Sequence, residues 1–272
     1  MFTQSWRELL LPYELAVKEL VVKFEHIAKE YHIRGDYCPV EEVKGRVKAL
    51  SSILEKAKKK GISEDQITEK LEDIAGIRII CQFVEDIYTV VGLIRNRTDM
   101  VILEELDYIK EAKESGYRSY HMVIEYTVQT TAGEKKLPVE IQIRTLAMNF
   151  WATVEHSLQY KYGKNVPYQI RQRLSASAEA VLSLDNEMAE IREEIQEAQM
   201  TFQLKANVVA QILNNINQLF RVADKQMVMD LQNEFFQIYN HSNMEELRQF
   251  NKRLDRVAAN YMAQSGLDSD IR

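Results

Sequence analysis

Cysteine is almost missing from this chain. Two residues in 272, Cys38 and Cys81, form no CxxC pair, which excludes a disulfide framework and a cysteine-rich zinc site. Histidine is equally sparse: five residues, scattered, with no HExxH, so a histidine-based zinc or two-metal hydrolase centre has no visible ligand set. No Walker A or Rossmann glycine pattern occurs, so any nucleotide phosphates must be held by cationic side chains and a hard cation. No window approaches the ~18 apolar residues of a membrane span, and the first residues lack a basic segment followed by a sustained apolar one. Nor is there an excess of positive charge. The net charge of -6 argues against a protein whose whole surface grips nucleic acid, although a local basic cleft and RNA binding stay open. A cytoplasmic protein without membrane association is the expectation.

Proline and glycine are absent from one long stretch. All four prolines and eight of the nine glycines lie at or before Pro167, and the 98 residues between Pro167 and Gly266 contain neither. Few strand-and-turn architectures tolerate that. Residues 1–174 carry 26 basic and 26 acidic side chains, whereas 175–272 carry 9 and 15, so the negative excess belongs to the second half. We therefore expect two regions, 1–173 and 174–272, the first mixed α/β and the second entirely helical.

In the first region, Trp6, Leu9, Leu10, Tyr13, Val17, Leu20, Phe24 and Ile27 recur at helical spacing. VKGRVKAL reads as a strand leading into a helix that stops at Gly61, and a further helix runs from about Asp65 towards DIAG. IRIICQF is a compact apolar strand, Asp86–Arg95 a helix and MVILEEL a strand. YHMVIEYTV and KKLPVEIQIR follow as a hairpin through Thr130, Thr131, Ala132 and Gly133, with a loop longer than the tightest two-residue turn. A helix from Leu146 to about Tyr160 closes the region. Adjacent strands without an intervening helix make this an α+β fold, a mixed sheet flanked by helices. In the second region we expect helix breaks near Asn207, Asp224 and Ser242–Asn243. Leu247, Phe250, Leu254, Val257 and Tyr261, spaced 3, 4, 3, 4, mark a seam for a partner helix, either in the same chain or in another.

Chemistry concentrates in four segments. DIAGIR places Asp73 just ahead of a strand that carries Arg78. EIQIR puts Glu140, Gln142 and Arg144 on one strand face, while Ile141 and Ile143 point into a core. An acid, an amide and a guanidinium in a row suit a wet cleft where phosphate meets a hard cation; an exposed sheet face with incidental salt bridges is the alternative. KEAKESGYRSYH gathers Lys110, Lys113, Arg118 and His121 around a glycine and two tyrosines, a pattern able to hold phosphate and stack a base. Further upstream stand Arg46, Lys48, Ser52, Lys56 and Lys59, the last three on one helical face; such a lysine run is also ordinary solvated surface. In NFWATVEHSLQYKY, Asn149, Thr153 and His156 share a face, with Trp151, Val154 and Leu158 spaced to meet the core.

Taken in order, LEDIAGIR, GYRSYH, VEIQIRT and NFWATVEH resemble the synthetase domain of the RelA/SpoT superfamily, over roughly Leu15 to Arg173, and in particular the small alarmone synthetases. The resemblance implies a nucleotidyltransferase-like sheet and transfer of the β,γ-pyrophosphoryl group of ATP to the 3′-hydroxyl of GDP or GTP. It also implies roles. Arg46 and Arg78 would sandwich adenine, and Lys48, Ser52, Lys56 and Lys59 would hold the ATP phosphates. Asp73 and Glu140 would coordinate Mg2+, and Glu140 would also draw off the acceptor's proton. Tyr117 would stack on guanine and Asn149 read its edge. Lys110, Lys113, Arg118, His121, Arg144 and His156 would serve the acceptor phosphates, with Gln142 orienting a neighbour or the ribose. No paired His-Asp hydrolase ligands and no ribosome-sensing module are expected. By the same resemblance the C-terminal helices associate subunits, most readily into a homotetramer. An RNA-binding or protein-docking module on a degenerate transferase scaffold is the non-enzymatic alternative.

Overall fold

The computed structural model describes residues 2–162, 167–241 and 244–269. A long helix, α1 (Phe2–Arg34), precedes strand β1 (Glu42–Val47) and helix α2 (Leu50–Lys60). Then come a one-turn helix α3 (Ile67–Lys70), β2 (Ala75–Cys81), α4 (Val84–Arg95), β3 (Val101–Asp107), β4 (Tyr120–Thr130), β5 (Gly133–Thr145) and α5 (Leu146–Tyr162). The five strands form one mixed sheet in the order β1-β2-β5-β4-β3, with only the β2–β5 pair parallel. The expected α+β architecture is what the chain adopts.

Register gives this sheet two different faces. Ala75, Ile77 and Ile79 of β2 lie beside Val139, Ile141 and Ile143 of β5, which oppose Ile124, Met122 and Tyr120 of β4. All are buried, and against them pack Tyr13, Val17, Leu20 and Phe24 of α1 and Ile87, Val90, Val91 and Ile94 of α4. Burial of each large side chain contributes roughly 1.5–3 kcal/mol, so this face holds the fold together. Gly45 lets α1 approach β1: a Cβ there would fall 2.5 Å from Val17 Cγ1 and 2.7 Å from Val21 Cγ2. The residues between the apolar ones point the other way and build the site.

Two local expectations need correction. The helix after Asp65 is only a 3-10 turn, Glu64–Gln66, followed by α3. It ends early because the chain must rejoin the sheet, where Lys48 N–H bonds the Ile74 carbonyl at 2.8 Å. The β4–β5 hairpin has the two-residue loop Thr131–Ala132, since Thr130 already pairs with Gly133, whose φ is +103°. The Thr130 hydroxyl tightens the loop by donating to the Gly133 carbonyl and accepting from Ala132 N–H.

Beyond the sheet, α6 (Tyr168–Val222), α7 (Lys225–Asn240) and α8 (Met244–Ser269) follow. No break occurs at Asn207: one asparagine without glycine or proline costs too little to stop a helix. The break at Asp224 does occur, and its carboxylate caps α7 by accepting from Gln226 and Met227 N–H. The break expected at Ser242–Asn243 lies outside the described residues. The chain divides into compact units Met1–Glu190 and Ile191–Arg272, so residues 174–190 belong with the sheet rather than with the later helices. Contacts explain this: Trp151 Nε1 donates to the Leu174 carbonyl and Ser177 Oγ, and Thr145 Oγ1 donates to Asp185 at 2.7 Å. In the second unit, Leu247, Phe250 and Leu254 are buried in one core with Ile212, Ile216, Leu219, Val228 and Phe235, and Val257 and Tyr261 flank it. The α8 seam is therefore filled from within the chain.

Candidate active site

Two rows of side chains cross the outward face of the sheet. Reading β1, β2, β5, β4, β3, one is Lys44–Arg78–Gln142–His121–Leu106 and the next Arg46–Gly76–Glu140–Val123–Glu104. Directly opposed residues share a face, so strand pairing alone brings together charges that are distant in sequence. A cavity of about 440 Å³ opens over Lys44, Arg46, Asp73, Arg78, Glu140 and Gln142. A second, about 360 Å³, shares Asp73 and Glu140 and adds Lys56, Lys60, Tyr108, Lys113 and His121. A third, about 320 Å³, shares Arg46, Arg78 and Gln142 and adds Tyr117, Arg144, Thr153, Glu155 and His156.

Asp73 stands on the turn leading into β2. Its Oδ2 accepts from both Lys48 Nζ and Lys56 Nζ at 2.6 Å, while Oδ1 is buried and finds no hydrogen-bond partner among the described residues. Burial pushes this carboxyl up, but the two ammonium groups outweigh it and hold it below the usual carboxylate range. Glu140 is likewise pushed up by burial and brought below its ordinary value by His121 and Gln142. Both acids are charged at neutral pH and face the same space.

Glu140 belongs to a closed ring of hydrogen bonds. His121 Nδ1 meets Glu140 Oε1 at 3.1 Å, and His121 Nε2 meets the Tyr117 hydroxyl at 2.9 Å. Arg144 donates to the Tyr117 oxygen at 3.3 Å and to Gln142 Oε1, and Gln142 Nε2 donates back to Glu140 Oε2 at 2.8 Å. Burial lowers the Arg144 guanidinium to about 10, with Arg78 adding to the effect, and burial likewise raises the Tyr117 phenol. Arg78 is lowered by burial and by the neighbouring Arg46, two guanidinium groups facing one cavity. A flat anionic or π-rich ligand between them would relieve that repulsion.

The structure thus gathers Asp73, Glu140, Arg46, Arg78, Lys48, Lys56, Lys113, Tyr117, His121, Gln142, Arg144 and His156. Six expected site residues line none of the three cavities, and of these only Lys48 reaches the site, through its bond to Asp73. Ser52 is exposed on α2, and Lys59 pairs with Glu55 one turn away at 2.6 Å. Lys110 is exposed over the Tyr88 ring. Arg118 turns to Glu179 on α6. Asn149 is half-buried on α5, its Oδ1 without a partner among the described residues. Lys44 was missed although it alternates with Arg46, as was Lys60, one turn beyond Lys56; Glu104 and Tyr108 offered no such signal. Val154 and Leu158, expected in the core, are exposed: with Leu146, Phe150 and Tyr162 they form an outward stripe along α5 at a spacing of four.

Asp73 and Glu140 face these cavities beside His121, with Glu72, Glu104 and Glu155 also in the linings, and no group of three or more His, Cys, Asp or Glu side chains able to hold a metal ion occurs among the described residues. Mg2+ commonly takes one or two carboxylates and completes its sphere with water and substrate phosphates, so the unpaired Asp73 Oδ1 and Glu140 fit that donor set.

Comparisons with known proteins agree with this geometry. Residues 45–165 match the region found in RelA/SpoT proteins. The chain is 53% identical to the GTP pyrophosphokinase YjbM of Bacillus subtilis over 205 residues, which cover 75% of this chain and 97% of that protein. Small alarmone synthetase 1 from B. subtilis, solved with its product pppGpp, superposes with a TM-score of 0.69 at 52% identity, covering 71% of this chain and 99% of that one. The same synthetase solved with AMPCPP gives 0.63 at 48%, again over 71% and 99%.

Proposed function

The chain belongs to the RelA/SpoT family, and we propose that it works as a GTP pyrophosphokinase, moving the β,γ-pyrophosphoryl group of ATP to the 3′-hydroxyl of GDP or GTP. The products are guanosine tetra- or pentaphosphate and AMP. One observation carries the reading: two ionised acids, one with a buried unpaired oxygen, face a space ringed by arginines and lysines.

In the mechanism, Arg46 and Arg78 grip adenine across the mouth of the cavity. Lys48 and Lys56 exchange the Asp73 carboxylate for the donor phosphates. Lys113, Arg144 and His156 meet the acceptor phosphates, and the Tyr117 ring carries guanine. Asp73 and Glu140 would hold a divalent cation, Mg2+, which when bound would neutralise charge on the phosphoryl oxygens and the departing AMP. Glu140 takes the proton of the 3′-hydroxyl as that oxygen bonds to the β-phosphorus and the bond to the bridging oxygen of AMP breaks. The hydrogen-bond ring fixes the Glu140 carboxylate in the required orientation, which is worth most when the alignment is already made before substrate arrives.

A docking scaffold would have no use for two carboxylates set among base-gripping guanidinium groups, and we set that alternative aside. Association of subunits fits the apolar stripe on α5 and the exposed Leu184 and Met188 on α6. No helix among the described residues is long and apolar enough to cross a membrane, and the cytoplasm, where ATP and guanine nucleotides are supplied, is the location this reading proposes. The purified protein, mixed with ATP, Mg2+ and GDP or GTP, should give AMP and a 3′-pyrophosphorylated guanine nucleotide in equal amounts by chromatography. Release of pyrophosphate would instead mean nucleotidyl transfer and overturn the reading.

A further inference from the structure

The loop between β3 and β4 bends at Gly116, whose N–H bonds the Lys113 carbonyl at 2.7 Å. Gly116 has φ +86°, and a Cβ there would fall 2.6 Å from Ala178 Cβ and 3.3 Å from Ser175 Cα, so the loop backbone lies flat on α6. Arg118 closes the contact. Its guanidinium donates to Glu179 Oε1 at 2.9 Å and to the Gly116 carbonyl at 3.2 Å, and only a tenth of its side chain is exposed. Ser119 then ties the end of the loop to β5 by donating to the Ile143 carbonyl at 3.1 Å. Between Gly116 and Arg118, Tyr117 lines the cavity with Arg46 and Arg78 while packing against the cluster of Trp151, Ala152 and Ala178.

We infer that Arg118 and Glu179 form a positioning pair that sets the height of the Tyr117 ring, and that Arg118 is not a phosphate ligand. The inference rests on the reading above only in taking Tyr117 as the acceptor's platform. Three features support it: the direction of Arg118, the absence of room between Gly116 and α6, and the bond from Arg118 back to its own loop. α6 acts as the bench on which that platform is mounted. Glu179 belongs to a helix that contributes nothing to the cavity lining, so its effect on acceptor binding must pass through the loop.

The full-length R118A, E179A and R118A/E179A proteins test this. Each should raise the KM for GDP or GTP about fivefold, with the KM for ATP and kcat within about twofold of wild type, as loss of one ordered ion pair allows. The double variant should be no worse than either single one, because both remove the same contact. E179Q, which keeps an acceptor oxygen, should recover most of the loss. Hydrogen exchange without nucleotide should show faster exchange of amides 113–119 in E179A, with the sheet unchanged. R118A far more damaging than E179A would make Arg118 a direct acceptor ligand and overturn the inference, as would unchanged exchange in E179A. A wild type that forms no alarmone defeats the pyrophosphokinase reading alone, since the exchange measurement still decides the pair.

Discussion

Replacing Asp73 by asparagine keeps the shape of the side chain and removes its charge, and the structure allows both consequences to be sized. Oδ2 now neutralises Lys48 and Lys56, each at 2.6 Å, with the three side chains between 17% and 34% exposed. Both lysines can swing to water once the carboxylate is gone. The loss of stability should therefore fall between that of a surface pair and a buried one, about 1–2 kcal/mol. The effect on transfer should be larger. Asp73 Oδ1 is a buried acid oxygen in the cavity without a partner among the described residues, and a charge removed where phosphoryl oxygens gather negative charge should slow turnover at least ~100-fold, or about 2.7 kcal/mol. AMP release measured beside circular dichroism separates the two effects, and binding of Mn2+ in the presence of ATP, read by electron paramagnetic resonance, should weaken in parallel. A structural reading, in which Asp73 serves only as counter-ion to the lysines, makes a different forecast. Restoring charge balance in D73N/K56M would then restore turnover to within about tenfold of wild type. That recovery, or near-wild-type activity of D73N itself, would refute the assignment.

Tyr117→Ala should raise the KM for GDP or GTP well above its effect on ATP, by the ~1–3 kcal/mol of a base-stacking surface, and Tyr117→Phe should chiefly lower kcat because His121 and Arg144 both bond the hydroxyl; equal weakening for both nucleotides would refute the stacking role. Burial raises the Asp185 carboxyl to about 6, against a slight lowering by Thr145, so folding favours its protonated form and that stability is lost as pH rises from about 4 to 6. Asp185→Asn should accordingly melt higher than wild type at pH 7 and lose the advantage near pH 4; a lower midpoint at pH 7 would refute the sign. F250S/L254S should lose helical signal from the second unit without dissociating subunits, since both residues are buried within it, whereas F150S/L158S should reduce the mass seen by light scattering and leave the fold intact. A folded, dissociated F250S/L254S protein would return the seam to the subunit interface.

Much of the site was legible because strands alternate. Glu140, Gln142 and Arg144 could be assigned to one face from spacing, and Val139, Ile141 and Ile143 to the other, with no knowledge of neighbours. What spacing could not supply was register: nothing local says that Arg78 stands between Lys44 and Gln142, or that Glu104 shares a row with Glu140. The direction of Arg118 was not legible for a related reason. It lies outside a strand, beyond a left-handed glycine, where alternation gives no direction and tertiary contact with Glu179 decides. Ser52 and Lys59 do lie on the helix α2, but a helical face does not say which turns reach the site, and of Ser52, Lys56 and Lys59 Lys56 alone lines a described cavity. The α8 seam shows the same limit, since a heptad stripe requires a partner helix without saying whose.

The two sides of the site differ in how far they are prepared. Glu140 is flanked in sequence by Val139 and Ile141, both fully buried, so the strand cannot shift without opening the core. Its ring partners are also fixed, with Arg144 only 3% and His121 only 9% exposed. A one-residue slip of β5 would send Glu140, Gln142 and Arg144 to the wrong face and away from His121 on β4, so the apolar face that stabilises the fold also sets the acceptor side. Asp73 sits on a turn instead, and its lysine partners are long, partly exposed chains. Those ammonium groups must leave the carboxylate before phosphates can occupy them. Rearrangement on binding should therefore be concentrated at Lys48, Lys56 and Asp73, while the Glu140–His121–Tyr117–Arg144–Gln142 ring stays as it is. Mutations that loosen the ring should then lower kcat, and mutations of the lysines should first raise the KM for ATP.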